Sequence, residues 1–122
     1  MSDESYFRPV IWVGSSHKDL LEFPDPVQHH VGYALYVAQL GGKHRDTKPL
    51  TGFGGAGILE IIKNYDGDTF RAVYTVRYSR NVYVLHCFQK KSRTGRETPH
   101  RDMELIKQRL REAEQIVKDE NL

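Results

Sequence analysis

Along the chain the spacing of apolar residues changes repeatedly, and each change marks an expected element. Residues 8–14 (RPVIWVG) are short, β-branched and aromatic, which predicts a strand. Ser15 or Ser16 is placed to cap a brief helix reaching about Phe23, and Pro24-Asp25-Pro26 ends it. Asp25 then caps a second helix with Pro26 at its first position. Val27, Val31, Ala34, Leu35 and Ala38 form an apolar stripe along it that stops at Gly41-Gly42. A strand followed by two helices in this way predicts a helical hairpin.

Residues 43–51 are polar and read as a loop, after which the period shortens to two. Residues 58–65, 69–78 and 82–88 predict three strands joined by the tight turns Asp66-Gly67-Asp68 and Ser79-Arg80-Asn81, an antiparallel meander. In the middle strand the alternation puts Phe70, Ala72, Tyr74, Val76 and Tyr78 on one face. Arg71, Val73, Thr75 and Arg77 fall on the other, so two arginines share a sheet face. Thr98 is placed to cap a last helix with Pro99 at its first position; Met103, Ile106, Leu110, Ala113 and Val117 repeat along it as a core-facing seam.

Composition adds limits. A chain of 122 residues is expected to form one domain, 1–122, and its 39% hydrophobic and 28% charged residues are ordinary for a soluble globular protein. No apolar run approaches the ~20 residues of a membrane span, and the acidic start Met1-Ser2-Asp3-Glu4 is unlike a signal peptide, so the cytoplasm is the expected compartment. Cys87 is the one cysteine and lies within an apolar strand, where packing is its expected role. The net charge of +2 conceals an uneven distribution: residues 43–101 carry twelve Lys or Arg against five acids, and the flanks six against eleven. One basic working face on an acidic scaffold suits a polyphosphate such as nucleic acid.

Several signatures fail on context. Gly52-Phe53-Gly54-Gly55-Ala56-Gly57 matches the spelling of a dinucleotide-binding loop, but a strand follows it where a helix N-terminus is needed. His29 and His30 are helix neighbours pointing about 100° apart, and no His pair stands at i, i+4; no metal site is expected. Hydrolase elbows and paired carboxylates are absent. What remains is the basic set: Arg71 and Arg77 in the middle strand, Lys90, Lys91, Arg93 and Arg96 after the third, and His86, His100 and Arg101 nearby. RNA cleavage needs little more. When a ribose 2′-hydroxyl attacks the adjacent phosphate, a base takes its proton, cations stabilise the added phosphoryl charge, and an acid protonates the departing 5′-oxygen.

Leu59-Glu60, Phe70-Arg71-Ala72-Val73-Tyr74, Val84-Leu85-His86, Phe88-Gln89-Lys90-Lys91-Ser92, then Thr98-Pro99 and a helix with Arg109 resemble the RelE/ParE toxin superfamily. Residues 8–20 and Lys48-Pro49-Leu50-Thr51-Gly52 fit its HigB-like, phage-related branch, so the resemblance spans nearly the whole chain. It implies an α+β, RelE-like fold: an N-terminal strand and helical hairpin packed on a small antiparallel β-sheet, with a C-terminal helix. The implied activity is cleavage of mRNA in the ribosomal A site without metal or small-molecule cofactor, held in check by a helix-turn-helix antitoxin. By position, Arg71 matches the strand arginine on the scissile phosphate, and Lys91, with Lys90, the basic position at the end of the next strand. Two departures stand out. Where many members have a cation soon after Leu-Glu, this chain has Ile61-Ile62 and then Lys63; and no Tyr follows Tyr83, leaving His100 as the candidate general acid. The remaining cations, Lys63, Arg77, Arg93, Arg96 and Arg101, are expected to bind RNA.

Two other functions fit the same sequence. One is a gyrase-poisoning protein of the same superfamily, which binds an enzyme and cleaves nothing. The other is a phage-derived binding module with no activity of its own.

Overall fold

The structure, a computed structural model, describes residues 7–53, 57–90 and 98–121. Its elements run β1 (Val10–Trp12), α1 (Ser16–Leu20), α2 (Asp25–Gln39), β2 (Thr47–Pro49), β3 (Ile58–Tyr65), β4 (Asp68–Thr75), β5 (Val82–Lys90) and α3 (His100–Glu120). The class is α+β and compatible with a RelE-like fold, as the sequence implies.

The strands form one five-stranded sheet in the order β1-β5-β4-β3-β2. The expected three strands form its centre, with Asp66 and Gly67 both at positive φ (51° and 83°) in the two-residue turn between β3 and β4. The middle strand is shorter than expected: β4 ends at Thr75, residues 76–81 connect it to β5, and Tyr78 packs into the core on the α3 side and not with Phe70. The sheet is mixed, however, where an antiparallel one is expected: β1 runs parallel to β5, pairing Val10 with Val82 and Trp12 with Val84. The second difference is β2, inside the stretch read as a loop. It pairs antiparallel with β3 through Thr47–Ile61, Lys48–Glu60 and Pro49–Leu59. Its Lys and Pro disguise it in the sequence and suit an edge, where a missing N–H costs no ladder bond and a charge discourages further pairing.

Each sheet face carries its own apolar core. On one, α1 and α2 bury Leu20, Phe23, Val27, Val31, Ala34, Leu35 and Ala38 against Ile61, Phe70, Ala72, Tyr74, Val82, Val84 and Cys87. On the other, Ile106 and Ala113 of α3 pack on Ile58, Val73, Tyr83, Leu85 and Phe88. The predicted stripes of α2 and α3 are thus the faces that pack. The helix caps differ from expectation by one residue. Pro24 and Pro99 are themselves the residues before the first turns, with φ and ψ near −55° and 147°, and neither Asp25 nor Thr98 caps with its side chain. Proline's fixed φ serves an extended position just outside a helix as readily as the first position inside it.

Candidate functional site

Strand alternation brings Arg71, Val73, His86, Phe88 and Lys90 to the sheet face that α3 covers, because Arg71 pairs with Phe88, Val73 with His86 and Thr69 with Lys90. On β3, Glu60 and Ile62 join them, and Lys48 of β2 stands opposite Glu60. Helix α3 enters this face beside His86, through Asp102. Arg71 and Lys90 lie beyond its first turn, toward the end of the sheet where β5 stops. Cross-strand diagonals of this type are about 7–8 Å apart. Arg71 and Lys90 are therefore neighbours, and the middle-strand arginine does meet the basic exit of the next strand.

Arg71 is not an open cation. It is 6% exposed, and its Nη1 donates to both carboxylate oxygens of Glu60 at 3.1 and 3.0 Å. Glu60 is 2% exposed and also lies 4.0 Å from the ammonium of Lys48. The Nε of Arg71 is buried with no hydrogen-bond partner among the described residues, which leaves one donor with its bonding capacity unspent. Lys90 is buried as well.

Next to this group lies a saturated polar network. Arg109, a buried cation in the apolar stripe of α3, donates from Nη1 to the Leu85 carbonyl (3.0 Å) and to His86 Nδ1 (3.2 Å), and from Nη2 to Ser15 Oγ (2.8 Å). Since a guanidinium only donates, Nδ1 accepts and the proton of His86 sits on Nε2, which donates to Asp102 Oδ1 at 2.7 Å. The Ser15 hydroxyl in turn donates to Asp19 Oδ2 (2.7 Å). Burial holds His86 below the usual imidazole range, against the opposing pull of Asp102. With both nitrogens engaged, His86 orients α3 on the sheet and has no free position for proton transfer in this arrangement. Gly14 makes the network possible: its φ is +58°, and a Cβ there would lie 2.6 Å from Arg109 Nε.

The other expected residues scatter. His100 and Arg101 open α3 and are exposed, at the helix end where free N–H groups favour an anion. Lys63 pairs with Phe70, so it belongs to the α2 face, opposite Arg71. Arg77 follows the end of β4, six residues and about 20 Å of strand from Arg71, and lines a hollow of about 300 Å³ with Arg80, Tyr83 and Glu120. One phosphate cannot touch both arginines. Lys91, Arg93 and Arg96 lie outside the described residues. In the glycine loop, Gly52 and Gly57 take positive φ (100° and 75°), and β3 follows directly. The Gly57 carbonyl accepts from Thr75 Oγ1 and from the Val76 N–H. Among the described residues this is turn chemistry; residues 54–56 of the loop lie outside them.

Reasoning from the sequence missed three partners: Glu60, Asp102 and the Arg109 that orders His86. For Glu60 there was a signal, since alternation puts this lone acid between Ile58 and Ile62 on a buried face. A second cluster went unforeseen because its members are far apart in sequence. His30 of α2, His44 and Asp46 each offer a nitrogen or oxygen within 4.8 Å of the others.

No curated protein and no solved structure matches the chain. A family described as "Phage derived protein Gp49-like" matches residues 18–111, from α1 to the middle of α3, and so takes in Arg71, Lys90, His86, Asp102 and Arg109, while Gly14 and Ser15 precede it. With most of its length inside that match, the chain belongs to the phage-derived Gp49-like family, a family related to the toxins of toxin–antitoxin pairs.

Proposed function

We propose that the protein, acting as one domain over residues 1–122, is a HigB-like toxin that cleaves mRNA on the ribosome in the cytoplasm and is silenced by a helix-turn-helix antitoxin. One observation carries the reading: the β4–β5 register sets Arg71 beside Lys90 on one face, at the sheet end where β5 leads into Lys91, Arg93 and Arg96. Asp102 in the first turn of α3 meets His86 of β5 on this face, and His100 and Arg101 directly precede it. In this scheme the ribosome presents the message. Arg71 and Lys90, with Lys91, stabilise the charge that builds on the phosphate as the 2′-oxygen attacks and its proton passes to solvent water. His100 gives its proton to the departing 5′-oxygen, while Arg93, Arg96 and Arg101 hold the flanking backbone. Lys63 and Arg77, on the far face and far end, serve at most as peripheral contacts. Glu60 keeps the guanidinium fork of Arg71 in place, and its carboxylate is near enough to compete with phosphate for that fork.

A second reading rests on that same ion pair. A guanidinium already bound to both oxygens of a buried carboxylate is a strut, and a protein built on it would bind its target without cutting, as a gyrase poison does. The two readings separate on expression in a sensitive cell. A nuclease depletes full-length mRNA and leaves DNA intact, and Lys90→Ala relieves growth arrest, slowing cleavage about 100-fold. DNA damage with intact mRNA would establish the poison.

A further inference from the structure

We propose that His30, His44 and Asp46 form a binding site for a divalent cation of the imidazole-preferring kind, Zn²⁺ foremost, which clamps α2 to the segment leading into β2. The ring nitrogen His30 Nε2 is buried, lies 3.2 Å from Asp46 Oδ2, and has no hydrogen-bond partner among the described residues. His44 Nδ1 lies 3.9 Å from the same oxygen. Ligands bound to Zn²⁺ at its usual bond lengths of about 2.0–2.1 Å stand roughly 3.3 Å apart. The His30–Asp46 separation already matches, His44 Nδ1 needs to close on Asp46 by about half an ångström, and all three ligand atoms lie within 4.8 Å of one another.

The three residues are held from different directions. His30 sits in the middle of α2, where its backbone is fixed. The Asp46 carbonyl accepts the Ile62 N–H of β3 at 3.0 Å, and the His44 carbonyl accepts Thr47 N–H at 3.0 Å. Tyr33, one turn along α2, meets the His44 ring edge-on at 5.6 Å and supports its orientation. The Asp46 N–H donates to His44 Nδ1 at 3.1 Å, so a metal at that nitrogen would replace one weak bond. Both rings are mostly covered, with side-chain exposures of 16% and 14%, while Asp46 at 42% leaves a path from solvent.

Two imidazoles and one carboxylate select Zn²⁺, Cu²⁺ or Ni²⁺ over Mg²⁺ and Ca²⁺, which take oxygen ligands. Lys63 shares the α2 face with the cluster, and Arg71 and Lys90 occupy the opposite face of the sheet. The cation would therefore brace the helical hairpin against the sheet edge and take no part in RNA chemistry. The inference stands apart from the proposed nuclease activity.

The test uses the full chain without an affinity tag, titrated with Zn²⁺ alone and, in parallel, with Co²⁺ as an optical probe. One equivalent is expected to bind, to raise the thermal midpoint and, for Co²⁺, to give the visible absorption of a low-symmetry site. His44→Ala and the isosteric Asp46→Asn, each with a metal-free midpoint measured alongside, are expected to lower affinity at least 10-fold. Uptake that survives both substitutions would overturn the site. So would the absence of uptake by the wild-type chain, or an equal rise in midpoint with Mg²⁺.

Discussion

Arg71 and Glu60 set the terms for any mutational test of this protein. Breaking a buried ion pair by removing one partner leaves the other charge unpaired and costs about 3–5 kcal/mol, whereas replacing both with apolar groups is often neutral. Arg71→Ala is therefore expected to destabilise by that amount, and Arg71→Met with Glu60→Leu to remain within about 2 kcal/mol of wild type, in urea unfolding. Equal losses would show that the pair is not coupled as drawn. For activity the informative change is Arg71→Lys, which keeps a cation opposite Glu60 and removes the fork. His86 gives a second residue-level expectation. Its folded pKa lies below the unfolded value near 6.5, so the unfolded chain takes up the proton first as pH falls. The stabilisation is complete above that value and is lost as pH falls through it toward the lowered one, with His30 contributing in the same direction. The urea midpoint should drop as pH falls below about 6.5, and less steeply in His86→Gln. An unchanged slope would mean that the ring is not the buried neutral donor described.

Among the elements, α3 depends on a contact that spans the chain. Arg109 reaches Ser15 across 94 residues, and Gly14 leaves the room for it. Gly14→Ala adds a Cβ at positive φ, which costs about 1–2 kcal/mol by itself, and displaces the guanidinium as well. The expected loss exceeds that of Ala at Gly32, which has open space around it; thermal unfolding of the two variants compares them directly. These elements also show where the sequence was legible. The stripes of α2 and α3 and the alternation of β3 to β5 followed from periodicity, because each element buries one face and nothing else competes for it. The parallel pairing of β1, the strand β2 and the Glu60–Arg71 pair did not. Three-residue edge strands carry too little period to read, and an ion pair across strands depends on register, which single-strand patterns leave open. The basic exit of β5 was readable as charge, yet the burial of Lys90 and Arg71 was not, since burial is set by what packs above the sheet.

Over the whole molecule, the uneven charge now has a location for part of its positive balance. Arg71 and Lys90 gather at one end of the α3 face, beside the start of α3, while Arg77 and Arg80 form a separate basic corner at the far end. Among the described residues no helix is long and apolar enough to cross a membrane. Membership of a toxin-related, phage-derived family makes an antitoxin the expected partner, and under the proposed function a protein that covers the Arg71–Lys90 end would block RNA and toxicity together. The most direct measurement is primer extension on a defined mRNA, using purified protein with and without translating ribosomes, and using Arg71→Lys in parallel. A ribosome-dependent toxin gives cuts in register with codons only when ribosomes are present, and loses them in Arg71→Lys. Cuts on free RNA, or codon-registered cuts that persist undiminished in a folded Arg71→Lys variant, would contradict the account, as would an intact message under every condition.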